Sequence, residues 1–220
     1  MKNKTKVHDH DSEEQSEDED DEKEKPTVVG LTSVPDIRTL TLYGPVDEKI
    51  SAQVVYSLFA YKELKKLIPI GNKKPPNKFK EVVEPLEFII STNGGNASDM
   101  FAIYDAMKHV KKTMQIHTLG LGKVMSAGVL LLASGTKGHR TVGKNCRVMI
   151  HSVIAGSQGS LHEIRAEVDE IINTQEQYIG VLAQETNMSV AKIKKLLNEK
   201  KNIYMNAEDC IKHGIADKIL

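Results

Sequence analysis

The sequence has few of the residues that mark secreted, membrane or zinc-binding proteins. Its 220 residues include no tryptophan and two cysteines, Cys146 and Cys210. Two isolated thiols are too few for a disulfide framework or a zinc site, so we interpret both as packing residues. The longest apolar run, 129–133, is far too short to cross a bilayer, and no apolar segment follows the first lysines as in a secretory signal. We therefore expect a soluble, cytoplasmic protein without membrane contact.

The formal net charge is zero, but the charges are unevenly placed. Residues 1–25 contain five lysines and eleven acidic residues, a net charge of −6, so residues 26–220 carry +6. The acidic segment has almost no apolar side chains to bury, which predicts a disordered tail over 1–27 and one domain over 28–220. The basic remainder lacks clustered arginines with interleaved aromatics, so we expect no nucleic-acid surface.

Beyond the tail, apolar strands alternate with helices. The pattern predicts strands at LEFIIST, MQIHTLGLG and CRVMIHSV, with a helix over 98–112 and another at VMSAGVLLLAS. This alternation indicates an α/β fold with a largely parallel sheet. The lysine- and proline-rich segment 70–85 is predicted to be an exposed loop. A long amphipathic helix over 160–186 exceeds the usual length, which favours association with other copies.

Two strand-to-helix turns carry the residues of chemical interest. Gly94 and Gly95 precede one helix, and Ser126 begins another. Helix N-termini present unpaired N–H groups that favour an oxyanion. A serine becomes a nucleophile only when a base accepts its proton, and His151 ends the next strand. Taken singly, a helix-capping serine, a packed histidine and an ordinary glycine turn explain these residues equally well.

Several motifs together resemble one known family. They are GPVD, NGG before a helix containing IYDAM, MSAG, RVMIH, QGS before the long helix, and AEDCIKHGIADKI. In this order, and with 25 residues from Ser126 to His151, the chain from residue 42 to 220 resembles the ClpP family, the proteolytic subunit of the Clp protease. The resemblance implies a ClpP/crotonase-like fold of repeated strand-helix units with a protruding handle helix, formed here by the long helix. It implies a serine peptidase without metal or other cofactor.

Carried over by position, the resemblance makes Ser126 the nucleophile and His151 the general base. The backbone N–H groups of Gly95 and Ala127 match the oxyanion hole. Asn202 stands where the family has the aspartate of its triad. Asparagine can orient the imidazole but cannot stabilise the imidazolium by charge. The segment around it is longer than in the family, so Glu199 remains an alternative carboxylate for this role.

The resemblance also implies partners. Family members form heptameric rings stacked as a tetradecamer through the handle helix, with active sites inside that receive peptides and unfolded proteins. Substrate would bind there as an added strand. An AAA+ unfoldase docks on the family's rings at aromatic positions that match Glu87 and Ile89 here, so a different unfoldase, or none, is expected.

Three functions stay open at this point. We favour a serine endopeptidase that works through an acyl-enzyme. The alternative is a catalytically weak or inactive structural ring subunit, which would tolerate Asn202 and the altered docking positions. Hydratases and isomerases of related folds use carboxylates near the glycines and need no serine at position 126, yet no carboxylate adjoins Gly94.

Overall fold

A computed structural model describes residues 38–71, 78–199 and 202–220. These residues belong to one unit, Ile37–Leu220. The predicted acidic tail, 1–27, lies outside the described residues. No helix in the described ranges combines the length and apolarity needed to cross a membrane.

The described chain alternates strands with helices, as the apolar pattern predicts. The strands are β1 (Thr39–Tyr43), β2 (Lys66–Pro69), β3 (Phe79–Val82), β4 (Leu86–Thr92), β5 (Ile116–Met125), β6 (Arg140–Val142), β7 (Arg147–Ile150), β8 (Ile203–Met205) and β9 (Lys218–Ile219). The helices are α1 (Glu48–Glu63), α2 (Ala97–Val110), α3 (Ala127–Ala133), α4 (Leu161–Glu185), α5 (Val190–Asn198) and α6 (Ala207–His213).

A seven-stranded sheet forms the centre of the fold. Its main order is β1-β4-β5-β6-β9, and all of these neighbours pair in parallel. The last residues of β5 pair in parallel with β7, and β8 adds antiparallel to β7. The prediction of an α/β fold with a mostly parallel sheet is confirmed. Parallel pairing brings the carboxyl ends of β4, β5 and β7 to one region, where the candidate site lies.

Helix α3 is buried along its whole length. Every residue from Ala127 to Ala133 is buried, and the helix packs against β4, β5, α2 and α4. Its continuous apolar run, without a polar face, follows from this position. Cys146 and Cys210 are also buried and unpaired, as predicted, and burial raises the pKa of their thiols to about 11 and about 12.

Helix α4 has two different halves. It spans Leu161–Glu185 and begins with a capping box in which Ser160 and Glu163 bond each other's backbone amides. Its buried apolar residues are confined to the C-terminal half, and Tyr178 and Leu182 are among them. Leu161 is 62% exposed, so the N-terminal half has an apolar surface that the described chain does not cover.

The segment predicted as an exposed loop over 70–85 contains part of a hairpin. Strands β2 and β3 pair antiparallel with each other and not with the main sheet. Ion pairs Lys65–Glu81 and Lys66–Glu84, each 2.9 Å, join the two arms. Neither β2 nor β3 has a repeating apolar pattern, so the sequence does not predict the hairpin, and it does not predict the short strands β6 and β8 either.

The buried Arg140 links β6 to the C-terminal part of the chain. Its guanidinium donates to the carbonyl oxygens of Ala133, Glu185 and Gly214 and pairs with the carboxylate of Asp217. The hydrogen bond from Arg140 is the main reason why the pKa of Asp217 falls from 3.8 to about 2.

Candidate active site

Ser126 lies in a strained turn between β5 and α3. Its φ of +53° and ψ of −120° make it the single non-glycine residue with positive φ in the described ranges. Such a backbone costs about 1–3 kcal/mol and persists where the surrounding structure enforces it. The hydroxyl makes no capping bond to α3. Helix capping therefore does not explain the serine.

Three hydrogen bonds hold the backbone of this turn. The amide of Ser126 donates to the carbonyl of Met149 at 2.8 Å, and its carbonyl accepts from the amide of Val129 at 3.0 Å. The same carbonyl accepts a longer bond, 3.4 Å, from the hydroxyl of Tyr178. Burial raises the pKa of Tyr178, so its hydroxyl stays protonated and able to donate. From the sequence, Tyr178 is one residue of the apolar face of the long helix, and nothing in its spacing indicates this contact.

Gly94 lies directly against Ser126. Its φ is +91°, and a Cβ added there would be 2.5 Å from the Cβ of Ser126 and 2.9 Å from the carbonyl oxygen of Met125. Its amide donates to the hydroxyl of Thr92 at 2.9 Å. Both the backbone conformation and the space therefore require glycine.

The GPVD motif supports the glycine loop from the other side. The amide of Val46 donates to the carbonyl of Gly94 at 2.9 Å, and the carbonyl of Val46 accepts from the amide of Asn96 at 2.8 Å. A Cβ on Gly95 would be 2.1 Å from the carbonyl oxygen of Val46. Val46 thus fixes the loop through backbone bonds alone, a role that its apolar side chain gives no means of predicting.

The two predicted oxyanion donors are unused. Within the described ranges, neither the amide of Gly95 nor that of Ala127 donates a hydrogen bond. Ala127 is the first residue of α3, as expected for a donor at a helix start. Gly95 precedes α2 by two residues, and Asn96 caps that helix with its side chain. The donor is therefore the loop amide itself and not the end of α2.

One cavity brings four of the predicted site residues together. It has a volume of about 590 Å³ and is lined by Ser126, His151, Gly95 and Ala127. His151 is half-buried just after β7 and makes no hydrogen bond to another described residue. The described residues contain no cluster of three or more side chains suited to hold a metal ion. The cavity thus contains a hydroxyl, an imidazole and two free amides, the functional groups that acyl transfer requires.

A family comparison agrees with this chemistry. The model of the Clp protease family matches residues 78–220, which include the glycine loop, the serine turn and His151. The chain belongs to the Clp protease family. Membership supports a ClpP-type peptidase and the fold that the motifs imply. The matched part begins after β1, β2 and Val46, whose backbone supports the glycine loop.

The third triad position differs from the other four. Pairing of β7 with β8 ends where Ile150 aligns with Ile203, and one further step of that register would set Asn202 opposite His151. Asn202 is exposed and is not among the residues that line the cavity, and its side chain makes no hydrogen bond within the described ranges. Glu199 ends α5 and is exposed as well. A role of Asn202 or Glu199 in orienting the imidazole of His151 stays a prediction.

Proposed function

We propose that this chain is a serine endopeptidase that hydrolyses peptide bonds through an acyl-enzyme at Ser126. The observation that carries the proposal is the position of Ser126 at a strained turn, where its hydroxyl makes no capping hydrogen bond to the helix. Two unused amides and an imidazole line the same cavity. Strained backbone at a turn that presents a nucleophile is a recurrent device of hydrolases.

The proposed reaction has two steps, acylation of Ser126 and hydrolysis of the acyl-enzyme. The Ser126 hydroxyl oxygen adds to the scissile carbonyl carbon while His151 accepts its proton. The resulting oxyanion is stabilised by the amides of Gly95 and Ala127. The C–N bond then breaks, and His151 returns the proton to the departing amine. Water attacks the ester by the same route, with His151 again as base, which releases the acid and regenerates the serine.

Family membership supports the remaining parts of the proposal. Substrate binds as an extended strand between the segment after His151 and the one after Gly95, since residues of both segments line the cavity. The proposed assembly is a stack of two heptameric rings in the cytoplasm, joined through the exposed half of α4. An AAA+ unfoldase would feed it with proteins, although Glu87 and Ile89 replace the aromatic docking residues of the family.

One observation favours a second candidate, a structural ring subunit with little or no activity. Asn202 is exposed and makes no hydrogen bond to His151 in the described ranges. An imidazole without an orienting partner is a poor base. In that case the turn would be retained for folding, and catalysis would need an active partner subunit.

Labelling with a fluorophosphonate distinguishes the two candidates. The reagent forms a covalent adduct with activated serines, and peptide mass spectrometry locates it. We expect an adduct on Ser126 in the assembled protein and none in His151→Ala. The peptidase proposal is refuted if an assembled, folded sample gives no adduct or gives one that does not depend on His151.

A further inference from the structure

One face of α4 contributes two carboxylates to the catalytic cavity. The lining residues from this helix are Glu167, Glu170, Ile171, Thr174 and Tyr178. Their spacing of three, four and seven residues is that of a single helical face. Tyr178 contacts the carbonyl of Ser126, so the face extends from the nucleophile to the two glutamates.

The two carboxylates have no positive partner in the described chain. Neither Glu167 nor Glu170 makes an ion pair or hydrogen bond with a described residue. By contrast, Glu176 on the same helix pairs with Lys194 at 2.6 Å. Among the described residues that line the cavity there is no lysine or arginine, and His151 is the one basic side chain. A concave site lined by charge of one sign concentrates ligands of the opposite sign.

Helix geometry gives the reach of these carboxylates. At about 1.5 Å per residue, Glu170 lies about 12 Å and Glu167 about 16 Å along α4 from Tyr178. An extended peptide advances about 3.3 Å per residue. For a peptide that runs along α4, the glutamates would face positions three to five residues from the reacting carbonyl, and a long basic side chain on a nearer residue would extend towards them.

We propose that Glu167 and Glu170 give the cavity a preference for peptides with lysine or arginine within about five residues of the scissile bond. This inference rests on the proposed peptidase function and specifies its substrate class. Ion pairs between exposed side chains are weak, so we expect the two glutamates together to give a preference of about five- to tenfold in kcat/KM. Acidic residues at the same positions would be disfavoured by repulsion.

The test compares matched fluorogenic peptides that differ by Lys, Gln or Glu at one position, scanned along both sides of the scissile bond. We expect the wild-type chain to cleave the best Lys peptide about five- to tenfold faster than its Gln counterpart at low salt, and this advantage should shrink in high salt. In Glu167→Gln/Glu170→Gln the ratio of the Lys rate to the Gln rate should fall to about one. Asp169→Asn is the control, because Asp169 lies on the same helix but not in the cavity.

Two results would overturn the preference. The first is equal cleavage of Lys, Gln and Glu peptides by the wild-type chain. The second is an equal loss on Lys and Gln peptides in the double variant, which would mean that the glutamates support His151 or the fold. Binding of the same peptides to Ser126→Ala, measured by fluorescence anisotropy, separates this inference from the peptidase proposal. Tighter binding of the Lys peptide without hydrolysis by wild type would uphold the preference and reject the peptidase, and equal binding would reject the preference.

Discussion

The amide of Ser126 donates a 2.8 Å hydrogen bond to the carbonyl of Met149, two residues before His151. Parallel pairing of β5 with β7 aligns Met125 with Met149 and leads into this bond. The serine turn and the histidine are thus joined by backbone, without any contribution from the serine hydroxyl. Chemistry and architecture at this position are therefore separable by mutation.

Replacing Ser126 tests that separation. Ser126→Ala should abolish peptidase activity and leave the assembly intact. Ser126→Gly should be equally inactive but more stable than the alanine variant, because glycine adopts a φ of +53° without steric cost. A gain of about 1 kcal/mol corresponds to a rise in Tm of about 2–4 °C for a chain of this size. Scanning calorimetry of the two variants measures it, and a lower Tm for the glycine variant would contradict the assignment of strain.

Gly95→Ala tests the support that Val46 gives to the glycine loop. The new methyl group would meet the Val46 carbonyl oxygen at 2.1 Å, so the loop must move away from the GPVD segment. Because an oxyanion donor moves with it, we expect kcat to fall about a hundredfold or more and the free energy of unfolding to fall by about 1–3 kcal/mol. Gly180→Ala is the control, since nothing lies within 4 Å of its added Cβ. Comparable activity losses in both variants would show that Val46 does not position the donor.

Asn202→Asp tests the third triad position. If Asn202 faces His151 as the β7–β8 register indicates, a carboxylate there stabilises the imidazolium, and kcat should rise about tenfold or more. Glu199→Gln should change the rate little. Rates on a small peptide ester measure both variants. A larger loss in Glu199→Gln than in Asn202→Ala would assign the role to Glu199.

Asp217→Asn tests the pairing with Arg140. The pKa of Asp217 is lowered from 3.8 to about 2 in the folded protein, so its contribution to stability is complete above pH 4 and is lost as the pH falls through 2. We expect the variant to lose about 1–2 kcal/mol of unfolding free energy at pH 7. It should also show a weaker dependence on pH between 4 and 2. Urea titrations across that range measure both effects, with Asp169→Asn as the exposed control.

Sequence alone predicted the parts of this fold in which a local pattern and its environment agree. The apolar run of α3 is buried throughout, β4 is buried at five of its seven residues, and the long helix predicted over 160–186 is α4. The hairpin of β2 and β3 was missed because cross-strand partners, and not a repeating pattern in either strand, define it.

The motifs predicted the reactive side chains and the two backbone amides of the candidate site, but not the residues that support them. Ser126 and His151 were found because a hydroxyl and an imidazole have recognisable chemistry. Val46 contributes only its amide and carbonyl, and Tyr178 looked like one more apolar residue of a helix. Asn202 directly precedes β8. This strand is only three residues long, so no sequence pattern indicates where it begins or that Asn202 is exposed.

The close approach of Gly94 to Ser126 also bears on how tolerance to substitution should be interpreted. Position 94 has no reactive group, and its importance is the room that it leaves beside the Cβ of Ser126. A saturation scan scored by proteolysis should therefore give Gly94 and Ser126 the same intolerance. A scan scored by cellular abundance should separate them, because a side chain at 94 collides with backbone while most small residues at 126 do not. Comparing the two scans would distinguish a position that must stay small from a position that must keep its reactive group.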